Sequence, residues 1–73
     1  RREDIPLLTE KFLKDIAAEY GQQVKKIDKK AIQLLQEHDW TGNIRELRNV
    51  VERLIILSGN TITPNDVQSY VFP

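Results

Sequence analysis

Apolar positions along this chain recur every three or four residues in four stretches, the signature of amphipathic helices. In the first, Ile5, Leu8, Phe12, Ile16 and Tyr20 fall on one side, while Glu10, Lys11, Lys14, Asp15 and Glu19 occupy the other. Asp4 and Pro6 stand where an N-terminal acid and a first-turn proline belong, and Gly21 offers a C-terminal stop. Ile27-Asp28 announces the second helix, with Asp28 to cap its free N–H groups and Ile27 to staple against Ile32. Ala31, Leu34, Leu35 and His38 then line one face, and Trp40 follows past the helix end as a large core plug.

The third helix is predicted to start at Asn43, with Gly42 giving a tight turn and Asn43 and Glu46 at capping-box spacing. Leu47, Val50, Val51, Leu54, Ile55 and Leu57 make it the most apolar of the four, so it belongs at the centre; Gly59 and Asn60 end it. In the fourth, Thr63-Pro64-Asn65-Asp66 reads as a cap, a first-turn proline and an acid at the third helical position. Val67, Tyr70 and Val71 supply its buried side, and Ile62 before the cap is a lone core anchor in a short extended link. The expectation is an all-α fold, a small four-helix bundle forming one domain over residues 1–73.

Composition narrows the functions open to such a bundle. Eleven basic and eleven acidic side chains balance to zero, so the whole-domain charge lends nothing to nucleic-acid or membrane binding. Without Cys, neither a disulfide framework nor a thiolate metal site is possible, and a single His excludes a His-rich one. The longest apolar run, Leu54-Ile55-Ile56-Leu57, is far too short to span a bilayer, which fits the cytoplasm. The lack of any Met and the charged start Arg1-Arg2-Glu3-Asp4 predict a segment cut from a longer protein.

No catalytic constellation stands out. No Gly-rich loop precedes a Lys-Ser/Thr pair, so a phosphate loop is missing from these residues. His38-Asp39 is the one His–acid neighbour pair, and adjacent helical residues point apart, so His38 reads as a core-edge residue. The unusual feature is the start of the third helix, where Arg45 falls in the first turn and Arg48 one turn later. A cation near the positive end of a helix dipole is disfavoured by about 0.3–1 kcal/mol, unless an anion such as phosphate approaches. The alternative is that nearby acids neutralise both arginines, with Glu52 four residues after Arg48 as its partner. For Arg45 the two readings stand level; for Arg48 the neutralised one leads. Arg53 reads as surface decoration, Arg2 as a chain-end residue, and the lysines of Lys25-Lys26-Ile27-Asp28-Lys29-Lys30 as solvated.

The stretch Trp40-Thr41-Gly42-Asn43-Ile44-Arg45-Glu46-Leu47-Arg48-Asn49-Val50-Val51-Glu52-Arg53 closely resembles the C-terminal signature of sigma-54-dependent transcriptional activators. These are the NtrC-type AAA+ ATPases, or bacterial enhancer-binding proteins. Arg1 to Leu8 resembles the passage from that family's large ATPase subdomain into its helical lid, and Leu57, Gly59, Ile62 and Asp66 match the lid's end. The likeness covers essentially the whole chain. It departs at Thr41, where the family usually has Pro, and at His38, where an aromatic residue is common; neither touches Arg45.

The resemblance implies an AAA+ C-terminal lid that is not itself an enzyme, within a parent ATPase that uses ATP and Mg. Arg45 would be the sensor II arginine reaching the terminal phosphates, and Ile44 would lie near the adenine or the subdomain hinge, or make a first-turn core contact. The implied partners are the large ATPase subdomain of the same chain, neighbouring subunits of an AAA+ ring, and RNA polymerase holding sigma-54. Neither membrane contact nor direct DNA binding by these residues is expected. Two other classes compete: a stand-alone helix-turn-helix DNA-binding domain reading with the second and third helices, and a helical protein-interaction module. Zero net charge and a very apolar third helix argue against the first.

Overall fold

The computed structural model describes residues 4–40 and 44–72. The elements run α1 (Ile5–Tyr20), β1 (Lys26–Ile27), α2 (Lys29–Glu37), α3 (Ile44–Leu57), β2 (Thr61–Ile62) and α4 (Pro64–Tyr70). The all-α expectation holds, with one addition. Ile62 is not a lone anchor: β1 and β2 pair in parallel, Lys26 opposite Thr61 and Ile27 opposite Ile62. The Asp28 N–H donates to the Ile62 carbonyl at 2.9 Å, and the Lys26 N–H to Asn60 at 3.2 Å. Because α2 and α4 each start just after one of these strands, the pairing sets the two helices side by side, and they pack together as α1 packs on α3.

Local chemistry starts and stops the helices. The Asp4 carboxylate accepts the Leu7 N–H at 3.2 Å, and Pro6 sits in the first turn of α1. At the other end Gly21 adopts φ 65°, and its N–H donates to Ala18 while that of Gln22 donates to Ala17, a Schellman closure. A side chain at this left-handed position would be strained. In α4 the Thr63 hydroxyl accepts the Asp66 N–H at 3.2 Å and Asp66 accepts the Thr63 N–H at 2.9 Å, completing the capping box read from the sequence. Asp28 occupies the N-cap of α2, but its carboxylate makes no capping bond. Asp4→Ala is therefore expected to cost about 1 kcal/mol and Asp28→Ala less than about 0.5 kcal/mol. Urea-denaturation midpoints would show it; equal losses would contradict this account.

All four helices, β2 and Trp40 contribute to a single core, in which Ile16, Leu35, Leu47, Leu54, Ile62 and Val67 have no measurable exposed surface. The buried face of α1 is broader than one stripe: Thr9, Leu13 and Ala17 join Ile5, Phe12 and Ile16. Thr9 carries a fully buried hydroxyl with no hydrogen-bond partner among the described residues, a desolvation penalty that the surrounding apolar contacts must offset. Three residues expected on buried faces are exposed instead: Tyr20 (43%), Leu57 (49%) and Tyr70 (36%). Each is the last residue of its helix. His38 also departs from expectation, because α2 ends at Glu37 and His38 turns into extended backbone at φ −78°, ψ 147°. No helix is long and apolar enough to cross a membrane among the described residues.

Candidate functional site

The first turns of α3 are held from below. Leu47 is fully buried, and Ile44 is half-buried and packs against the core, so the core contact considered for Ile44 is present. Arg45 lies between them in sequence and faces solvent. Among the described residues its side chain has no hydrogen-bond or ion-pair partner. Glu46 supplies an acid in the first turn. The expected Asn43–Glu46 capping box, the Gly42 turn and the Thr41 hydroxyl lie outside the described residues, as do Arg1, Arg2 and Glu3.

Trp40 belongs to the same core. Its ring is buried, and its indole N–H donates to the Leu35 carbonyl at 2.6 Å, satisfying a C-terminal carbonyl of α2. His38 meets Trp40 edge-on at 4.5 Å between ring centroids and lies against Phe72 at 4.8 Å. His38 is thus exposed, and it touches the core edge only through these two ring contacts in the chain that follows α2.

Arg48 does not pair with Glu52, the partner that helical spacing offered. Its Nη2 donates to both carboxylate oxygens of Glu19, at 2.8 and 2.7 Å, across the α1–α3 contact. Glu52 instead accepts the Tyr20 hydroxyl. The physical reason is that Glu19 sits in the last turn of α1, at the negative helix end, where no basic residue of α1 lies nearby. Arg48 supplies the missing counter-charge. The bond to Glu19 raises the Arg48 pKa above its ordinary value, and the bond to Glu52 raises that of Tyr20.

The lysine run also needs correcting. Lys25 is half-buried and its ammonium donates to the Ile55 carbonyl and, at 2.8 Å, to that of Ser58, so it caps the C-terminal end of α3. Lys26, Lys29 and Lys30 are exposed, as expected. Arg53 reaches the Tyr70 carbonyl at 3.3 Å on the surface. The roles of Lys25 and Glu19 were not legible in local spacing, because each partner lies far away along the chain.

Comparison with known proteins follows the same outline. The family model described as "AAA+ ATPase lid domain" matches residues 1–73. The chain is 52% identical over 59 residues to the nitrogen assimilation regulatory protein NtrX of Azorhizobium caulinodans, covering 81% of this chain and 13% of that protein. It is 44% identical over 68 residues to the transcriptional regulatory protein ZraR of Salmonella typhi, and 46% identical over 68 residues to ZraR of Escherichia coli. In both, the match covers 92% of this chain and 15% of the relative. The chain thus spans less than one-sixth of the length of these relatives.

Proposed function

This chain belongs to the AAA+ ATPase lid domain family, and from that premise we propose that it is the movable lid over the ATP site of a sigma-54-dependent transcription activator. Arg45 is the residue on which the reading rests. Its guanidinium is exposed, carried on a first turn anchored by Ile44 and Leu47, and without a side-chain partner among the described residues. A cation near the positive helix end fits an anionic ligand better than it fits plain surface. The role assigned to Arg45 is to donate charge-assisted hydrogen bonds to the terminal phosphates of ATP bound in the large subdomain of the same polypeptide. When hydrolysis removes that acceptor, the lid loses a contact, so its angle follows the nucleotide state. The surface that Ile44 leaves uncovered is assigned to the adenine or the subdomain hinge.

The chain alone is not the enzyme in this reading. Mg, like ATP, is assigned to the large subdomain of the same polypeptide. Neighbouring subunits of a ring, and cytoplasmic RNA polymerase carrying sigma-54, are the partners that lid motion would act on. Zero net charge favours this lid role over direct DNA reading.

In the full-length protein, Arg45→Ala is expected to lower ATP hydrolysis by about tenfold to a hundredfold, the weight of a hydrogen bond to a charged group. The thermal midpoint of the isolated lid should barely move, because Arg45 is exposed. Unchanged hydrolysis together with unchanged transcription activation would refute the sensor role.

A further inference from the structure

An exposed arginine is available to phosphate only if no carboxylate of its own domain claims it first. Arg48 lies three residues after Arg45 on α3, and residues three apart are surface neighbours with Cβ atoms about 5–6 Å apart. Glu19 is thus held by the side chain that neighbours Arg45 one turn along this helix face. Arg48 engages both Glu19 oxygens. The other acids that act on Arg48 are engaged too: Glu52 accepts the Tyr20 hydroxyl and Asp15 pairs with Lys11.

We infer that Arg48 is a positioning residue for Arg45: by occupying both oxygens of Glu19 it keeps that acid from pairing with Arg45 and from repelling the approaching phosphate. The inference rests on the reading of Arg45 as the phosphate sensor. It assigns Arg48 no contact with nucleotide, since its guanidinium is already committed to Glu19. An ion pair serving only to hold α1 against α3 would be lost equally when either partner, or both, is changed. A guard behaves differently, because harm comes only from a free Glu19.

The test is the dissociation constant of Mg with a non-hydrolysable ATP analogue, measured on the full-length protein. Arg48→Gln is expected to weaken binding by about fivefold, the scale of an exposed charge pair. Glu19→Gln should bind at least as tightly as wild type, and the double variant should return to within about twofold of it. Lys14→Gln, which removes an exposed positive charge from α1, should leave binding unchanged and so exclude a net-charge effect. A double variant as weak as Arg48→Gln alone would overturn the inference, as would wild-type affinity in Arg48→Gln or weakened binding in Lys14→Gln. Arg45→Ala separates the two levels. If it weakens binding while Arg48→Gln does not, only the guard role falls; if Arg45→Ala binds like wild type, the sensor reading and the guard role fall together.

Discussion

Trp40→Ala is expected to cost about 3–5 kcal/mol and to leave the isolated 73-residue chain largely unfolded at room temperature. Two losses combine. The ring is only 6% exposed and belongs to the common core, so its removal opens a cavity in that core. Its N–H also donates to the Leu35 carbonyl at the end of α2, and alanine leaves that acceptor with only the longer bond from the His38 N–H, at 3.3 Å. A domain of this size commands only about 3–5 kcal/mol of stability, so the substitution consumes nearly all of it. Trp40→Phe should be intermediate, keeping most of the apolar area but not the donor. Far-ultraviolet circular dichroism through a thermal scan would read both. A cooperative transition within a few degrees of wild type for Trp40→Ala would mean that the core does not depend on this ring.

Ile62→Ala is the second large effect, at about 2–4 kcal/mol. The side chain is completely buried and sits on β2, one register position after Thr61, which is half-buried. Removing it empties volume in the common core, while the backbone ladder keeps its hydrogen bonds. Thr61→Ala is the matched comparison. It leaves the same ladder intact and removes little buried surface, so a loss below about 1 kcal/mol is expected. Comparable losses in a urea titration would place the stabilisation in the strand pairing rather than in the Ile62 side chain.

These contrasts show which parts of the molecule could be read from sequence. Helix positions followed from apolar spacing, and the ends that close locally, Asp4, Gly21 and Thr63 with Asp66, were visible because each partner lies within a few residues. Asp28 shows the limit of that method: the residue is at the N-cap, yet its carboxylate makes no capping bond. What escaped was long-range. Lys25 finds its carbonyl acceptors 30 and 33 residues on, and Arg48 finds Glu19 29 residues back, so nearest-neighbour spacing pointed wrongly to Glu52. The position of Arg45 came from a motif and its exposure from the fold. The occupied acids beside it needed the packing of α1 on α3. Short strands were equally hidden, since two residues carry too little alternation to register against helical periods.

That strand pair has a kinetic meaning. Joining Lys26 to Thr61 closes a loop containing all of α2 and α3, and the entropy of closure must be met before two residue pairs return anything. Helices formed from near neighbours face no such delay. The ladder therefore belongs to the native side of the folding barrier, a fastener added once the helices are in place. On a chevron plot, Ile62→Ala should steepen nothing and slow little on the folding arm, while raising the unfolding arm by nearly its whole energetic effect. The time this domain stays folded is then expected to follow the docking of β2 with its buried Ile62 side chain, and the speed of folding to follow the helices around it.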